Sequence, residues 1–422
     1  MSKQQDPWMN SFSAADADEQ IRKPYVYVTL QGPDDGGDFG PNTPGTKTGG
    51  IQEALNYAHE NCRDVYIFGG RGGLHAGVGY PDNIYTLEET LHVPWSQDFK
   101  LDGGNYLLRY TPETGDAVVI DSQMNCRYKF GLIVTESEGA GVRIKPRTAG
   151  PDDMVVVVGS VFDFSAVVSH GSGIVLDASA GAIAQSRFFA EETNTLTRGV
   201  YLTGSNISNN LIQVLFINQN HATGAAVGLQ LGDPESNNIT RNRIEMSFHA
   251  PRGVYLNRET MRYTAPDNFV PPDDAIGVQV FAQNNLLTFG FNGKRSPGTD
   301  LVFEEAARDN TVFLYNLPNG LTNNACYPNN RVVPNWTEGF NVKTPPFPNS
   351  GEVLVNRSSF TVEALILRNG KVSQWSLADV NDQAQDIPSG LFVGQSILLE
   401  PGDQVRFDYT EPPAWRWRAL RS

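Results

Sequence analysis

Only three of the 422 residues are cysteine, and they stand far apart at Cys62, Cys126 and Cys326. That spacing makes no thiolate metal site, and three buried free thiols are expected, with one distant disulfide as the alternative. The six histidines are scattered, so no zinc site is expected. Positive charge is also short: 32 Lys and Arg face 47 Asp and Glu, a formal net charge of -15. A nucleic-acid backbone or an anionic membrane is therefore not an expected partner. No apolar run is long enough to cross a bilayer. Residues 1–20 lack the apolar core of a secretory signal, so either such a signal lies upstream of this sequence or the protein leaves its cell another way, for example by lysis. No nucleophile elbow, phosphate loop or dinucleotide fingerprint occurs. Gly69-Gly-Arg-Gly-Gly73 lacks the Lys-Ser/Thr ending of a phosphate loop, and Asp34-Asp35-Gly-Gly-Asp38 reads as a turn rather than a calcium loop. No cofactor is expected.

What the chain has is repetition. A short phrase is written six times: Gly-Ile174-Val-Leu176, Gly-Val200-Tyr-Leu202, Gly-Leu229-Gln-Leu231, Gly-Val254-Tyr-Leu256, Gly-Val278-Gln-Val280 and, more loosely, Asp-Leu301-Val-Phe303. Their first apolar positions lie 26, 29, 25, 24 and 23 residues apart. A second phrase follows the first three: Ile183-Ala-Gln-Ser186-Arg-Phe188, Ile207-Ser-Asn-Asn210-Leu-Ile212 and Ile239-Thr-Arg-Asn242-Arg-Ile244. Periods of this length signal a solenoid. Runs that alternate apolar and polar, broken by Gly, Asn and Ser with no amphipathic helix between, read as coils of a parallel β-helix. Ser186, Asn210 and Asn242 read as a structural polar ladder inside a turn.

The chain divides accordingly. Residues 1–24 read as a polar arm, 25–317 as the β-helix with its cap, 318–350 as a Pro- and Asn-rich linker or an irregular return along the helix, and 351–422 as a C-terminal β domain. Strands are expected at Tyr25–Leu30, Val65–Phe68, Leu91–Val93, Phe99–Leu101, Val118–Ile120, Phe130–Val134, Val142–Ile144 and Val155–Val158. Ile51, Leu55 and Ala58 share one face of a helix that Thr48 can cap. A Pro- and Asp-rich insert at 259–274 interrupts the coils. In the last domain, Glu352–Val355, Thr361–Arg368, Leu391–Val393, Ser396–Leu399 and Gln404–Tyr409 read as strands, with a type II turn at Glu400-Pro-Gly-Asp403.

The order Gly-Asp38-Phe-Gly, Thr48-Gly-Gly-Ile51-Gln-Glu-Ala-Leu, Val65-Tyr-Ile-Phe-Gly-Gly, Tyr85-Thr-Leu and Leu91-His-Val-Pro resembles the opening segment of the pectate-lyase-like superfamily. Its members include polygalacturonases, pectate lyases and many phage tailspikes. The resemblance implies an all-β fold: a right-handed, single-stranded parallel β-helix with an N-terminal capping helix. The ending from Leu399 to Trp417 resembles the small C-terminal β domain of phage tail proteins, which implies a homotrimer and an extracellular or virion-associated location.

Strand alternation then lists the side chains that face outward. Tyr201, Gln230, Tyr255 and Gln279 make one candidate sugar face, since aromatic rings stack on sugar C–H faces and amides bond hydroxyls. Arg187, Arg243 and Glu245 make a second. Glycoside hydrolysis needs two carboxyls, roughly 5–5.5 Å apart for retention and 6.5–9.5 Å for inversion. Glu245 is the first candidate, with Asp177, Asp233, Glu191 or Glu192 as its partner. A lyase would use His249 or Arg252 as base. The expected function is cleavage or rearrangement of an extracellular polysaccharide by a hydrolase, lyase or glycan-cyclising transferase. The alternative is a non-catalytic glycan-binding or structural tail-fibre protein.

Overall fold

The computed structural model describes residues 25–69, 83–104, 106–147, 155–219, 227–249, 255–257, 262–264, 275–292, 298–317, 320–326, 329–334, 342–379 and 384–420. The expected arm, the glycine-rich loop from residue 70 and most of the insert lie outside them. Within them the chain is a three-sided parallel β-helix followed by antiparallel β-structure.

Sheet A stacks Tyr25–Val28, Asp64–Ile67, Lys100–Gly103, Arg127–Thr135, Val161–Ser169, Arg187–Thr195, Leu211–Gln219, Arg243–His249, Leu286–Asn292, Thr311–Leu314 and Arg331–Pro334, every neighbour parallel. Sheet B stacks Leu91–Val93, Val118–Ile120, Ala140–Ile144, Ser172–Ala178, Arg198–Ser208, Val227–Leu231, Ala275–Val280, Gly298–Phe303 and Leu321–Asn323. Short strands such as Val156–Val158, Ala182–Ala184 and Asn237–Thr240 make the third side. Side chains at alternate positions fill the interior, where Tyr128, Phe162 and Phe188 stack at centroid distances of 5.3 and 5.0 Å. Right-handed crossovers are the rule for parallel connections.

The repeated glycine has a steric cause. A Cβ on Gly173 or Gly199 would lie 2.5 Å from the carbonyl oxygen of the next rung's glycine, and one on Gly277 would lie 2.4 Å from that of Asp300. The expected polar ladder is also there. At the corner before each of the last five sheet A strands, Asn210, Asn242, Asn285, Asn310 and Asn330 are all buried. The side-chain oxygen of each of the last four accepts from the backbone N–H and the amide of the preceding asparagine, at 2.9 to 3.3 Å. The residue before each of Asn210, Asn242, Asn285 and Asn310 takes a positive φ of 55 to 57°, which turns the corner.

Four expectations need correction. The fourth copy of the phrase is not a rung: Tyr255–Asn257 pairs antiparallel with Arg262–Thr264, and Val227–Leu231 pairs directly with Ala275–Val280. Apolar alternation suits a hairpin strand as well as a coil strand, so the period alone could not tell them apart. The ladders also continue to Leu321–Asn323 and Arg331–Pro334, inside the stretch that composition reads as a linker. Leu391–Val393 is loop, whereas Lys371–Ala378, Ala384–Ile387 and Ala414–Ala419 are strands that were not anticipated, although Trp415 and Trp417 alternate with Arg416 and Arg418. The three cysteines are free, but only Cys126 is buried; Cys62 and Cys326 are exposed.

The cap is built as expected, with one shift. Ile51–Glu60 is helical, and Ile51, Leu55 and Ala58 are buried against the first coils. Gly50 is the N-cap residue, yet the Thr48 hydroxyl still accepts from the Gln52 N–H at 3.1 Å, and Thr46 accepts from the Gly50 N–H at 2.8 Å. In the C-terminal part, Phe407, Trp375, Trp415 and Trp417 are buried together with Phe347 packed on them. The Glu400–Asp403 turn closes with the Asp403 N–H on the Glu400 carbonyl at 3.0 Å and Gly402 at φ +97°.

Candidate functional site

The two expected faces lie on different sides of the helix. Tyr201, Gln230 and Gln279 lie side by side on sheet B, in register. Arg187, Leu211 and Arg243 form one row on sheet A, and Phe189, Gln213 and Glu245 form the next. One glycan bond cannot be flanked by carboxylates from both sides, so the expected pairing of Glu245 with Asp177 or Asp233 fails on topology.

Sheet B's outer face uses its polar groups internally. The Tyr201 hydroxyl donates to Asp233 at 3.1 Å and the Thr203 hydroxyl donates to the same oxygen at 2.6 Å. The Arg198 guanidinium lies 4.8 Å over the Tyr201 ring, covering a face that a sugar would need. Gln230 is buried and donates to the Gly232 carbonyl at 3.0 Å, while Gln279 donates to Glu304 at 2.6 Å. Tyr255 stands in the hairpin, outside this ladder. The expected sugar face is therefore a self-satisfied polar network.

Asp177 and Asp233 are unsuited to donating a proton. Burial alone would raise the Asp177 carboxyl, but bonds from Ser179 and the charges of Lys145 and Arg143 outweigh it and hold it below the ordinary aspartate range. Arg143 and Lys145 each approach it at 3.4 Å. Burial likewise pushes Asp233 up, and donors from Thr203, Ser236, Tyr201 and the Glu235 backbone outweigh it, so its carboxyl also sits low.

Sheet A is different. Glu245 is half-buried in an open depression of about 560 Å³, lined by Arg243, Thr288, Phe313, Leu314, Tyr315 and Val333. The Arg243 guanidinium donates to one of its carboxylate oxygens at 2.6 Å, and the Gln213 amide donates to the other at 2.7 Å. This fixes the carboxylate by a charge-assisted bond on one side and a neutral one on the other. Phe313 and Tyr315 are 40% and 58% exposed beside it. Thr288 separates Glu245 from Phe313 in the row, and the Tyr315 ring lies beside Gly290.

The other candidates on this sheet stand apart from Glu245. Glu192 is half-buried on the strand two rungs away, in register with Phe216 rather than with Gln213. Glu191 is exposed on the same strand. Arg187 is exposed in the row that holds Arg243. The backbone of His249 ends the Glu245 strand, opposite Asn292; Arg252 lies outside the described residues. Asp163 shares Glu245's row, but three rungs away, about 14 Å at the usual strand spacing. Burial raises its carboxyl, partly offset by Lys129.

Thr288, Phe313 and Tyr315 were not anticipated. The rung that bears Phe313 and Tyr315 follows the last copy of the recognised phrase, and its signal is the alternation Val312-Phe313-Leu314-Tyr315, with Val312 and Leu314 inward.

No protein-family model and no curated protein sequence matches the chain. Among solved structures it is similar to the tailspike protein of E. coli bacteriophage HK620 in complex with a pentasaccharide, at 10% identity over 96% of this chain and 94% of that one, with a TM-score of 0.25. A double mutant of the same tailspike gives the same identity and coverage, with a TM-score of 0.24.

Proposed function

We propose that the protein binds an extended glycan along the outer face of sheet A, at the depression around Glu245. The observation that carries this reading is the pair of exposed rings, Phe313 and Tyr315, beside a carboxylate held by two donors. Aromatic faces stack on sugar C–H groups, and a fixed carboxylate accepts sugar hydroxyls. The parallel rungs repeat at about 4.8 Å, so the face can follow a polymer. In this reading the protein is a virion-associated or extracellular glycan receptor.

Cleavage is the second reading, favoured by the placement of Glu245 in an open depression. It requires a second carboxyl roughly 5–9.5 Å away. Among the described residues, none stands on a rung next to Glu245 in its row, which favours binding.

A glycan array probed with the full chain and with Phe313→Ala, Tyr315→Ala and Glu245→Gln tests both readings. Loss of each ring weakens binding about two- to tenfold. Loss of the carboxylate weakens it tenfold or more on the scale of a charged hydrogen bond. Undiminished binding by all three variants refutes the proposed face. New reducing ends released by the wild type and not by Glu245→Gln would establish cleavage instead.

A further inference from the structure

The row containing Arg243 has an order that the glycan reading does not use. From rung to rung along sheet A it runs Arg127, Val161, Arg187, Leu211, Arg243 and Leu286, each in register with the next. Cation and apolar side chain alternate over six consecutive rungs. Arg127, Arg187 and Arg243 are exposed, Val161 and Leu211 are half-buried, and Leu286 is 40% exposed. Successive arginines are two rungs apart, about 9.6 Å. They stand on a chain of net charge -15. Among the described residues Arg127 and Arg187 have no ion-pair partner. Arg243 already shares its guanidinium with Glu245 at 2.6 Å. In the adjacent row Lys129 stands opposite Asp163, and Phe189 and Gln213 are uncharged.

We infer that the glycan read by this face is an alternating anionic polymer, with one acidic group on every second sugar. This rests on the proposed binding face. Acidic groups pair with Arg127 and Arg187, because a guanidinium fork matches a carboxylate or sulfate and forms charge-assisted bonds. The intervening neutral sugars lie with their C–H faces over Val161 and Leu211. The Arg243–Glu245 pair ends the anion-reading track, since its cation is already shared, and presents a hydroxyl-binding position next to Phe313 and Tyr315. A polymer charged on every sugar would set anions over Val161 and Leu211, stripping their water without a partner.

The test titrates fluorescent hyaluronan, with one carboxylate per disaccharide, against the full chain. Polygalacturonate, with one carboxylate per sugar, neutral dextran and duplex DNA are the comparisons. Hyaluronan is expected to bind tightest. Arg127→Gln and Arg187→Gln are each expected to weaken it about two- to fivefold, the range for exposed ion pairs. Arg187→Lys should keep the charge but not the fork and so lose less than Arg187→Gln, Arg187→Glu should lose more than Arg187→Gln, and added salt should weaken wild-type binding. Absence of hyaluronan binding, equal binding of polygalacturonate or DNA, or no effect of the arginine variants overturns the inference. If dextran binds and Phe313→Ala abolishes that binding while the arginine variants change nothing, the alternating-anion inference fails and the binding face stands. If Phe313→Ala and the arginine variants all leave glycan binding unchanged, the face itself is wrong.

Discussion

Asn242 offers the sharpest test of what holds the coils in register. Its side-chain oxygen accepts from the Asn210 backbone N–H at 3.1 Å and from the Asn210 amide at 3.0 Å. Its amide donates to the Ile207 carbonyl at 2.9 Å and to the Asn285 side-chain oxygen at 3.0 Å. Asn242→Ala removes all four bonds. Asn285's oxygen keeps its bond from the Asn242 backbone N–H, and the Asn210 amide keeps its bond to the Ile183 carbonyl. That leaves the Asn210 N–H, one Asn210 amide hydrogen and one bond to the Ile207 carbonyl unmade in the interior. At roughly 1–3 kcal/mol for each buried group without a partner, and with some relief from an entering water, the loss is about 4 kcal/mol. The assay is thermal unfolding followed by circular dichroism, supported by the half-life at a fixed high temperature, because a long solenoid need not unfold reversibly. The exposed Asn238, whose amide donates to the Asn206 side chain at 2.7 Å, is the control. If Asn242→Ala is no more destabilising than Asn238→Ala, the ladder is not what stabilises the corner.

Asp177 predicts an acid dependence. Its folded carboxyl titrates below the ordinary value of 3.8, so its contribution is full above about pH 4 and is lost as pH falls through the lower folded value. Asp177→Asn should therefore be less stable than wild type at neutral pH, with the two melting temperatures converging toward pH 2. Curves that stay parallel contradict the ion network with Arg143 and Lys145. The C-terminal strands and loops leave Phe392, Val393, Leu398 and Leu367 69%, 66%, 54% and 52% exposed, apolar side chains that burial between subunits would cover. Light scattering should return a homotrimer mass, and a monomer mass would refute that expectation.

The Asn ladder and the repeated glycine were legible from sequence because each rung imposes the same local demand. A polar side chain, Ser186 and then asparagine, fills successive buried corners, and a Cβ on Gly173, Gly199 or Gly277 would strike the next rung's carbonyl. The mistaken rung at Tyr255 shows the limit. Its Gly-Val-Tyr-Leu phrase satisfies the same alternation, but hydrogen bonding to Arg262–Thr264 is a choice between partners that one strand's pattern does not encode. The Tyr/Gln face failed for a related reason. Outward position was read correctly for Tyr201 and Gln279, but Arg198 over the ring and Glu304 on the amide come from other positions of the coil.

The sequence alone determined the parallel β-helix, its cap, its polar corner and the list of side chains able to face outward. Those depend on local periodicity and on the excluded volume of neighbouring rungs. Only the tertiary structure decided which outward residues meet. Glu245 lies with Phe313 and Tyr315 because the intervening chain turns around the helix and returns two rungs later. Asp177 on sheet B and Asp233 in the loop after Val227–Leu231 were removed from Glu245, because Glu245 stands on another side of the helix.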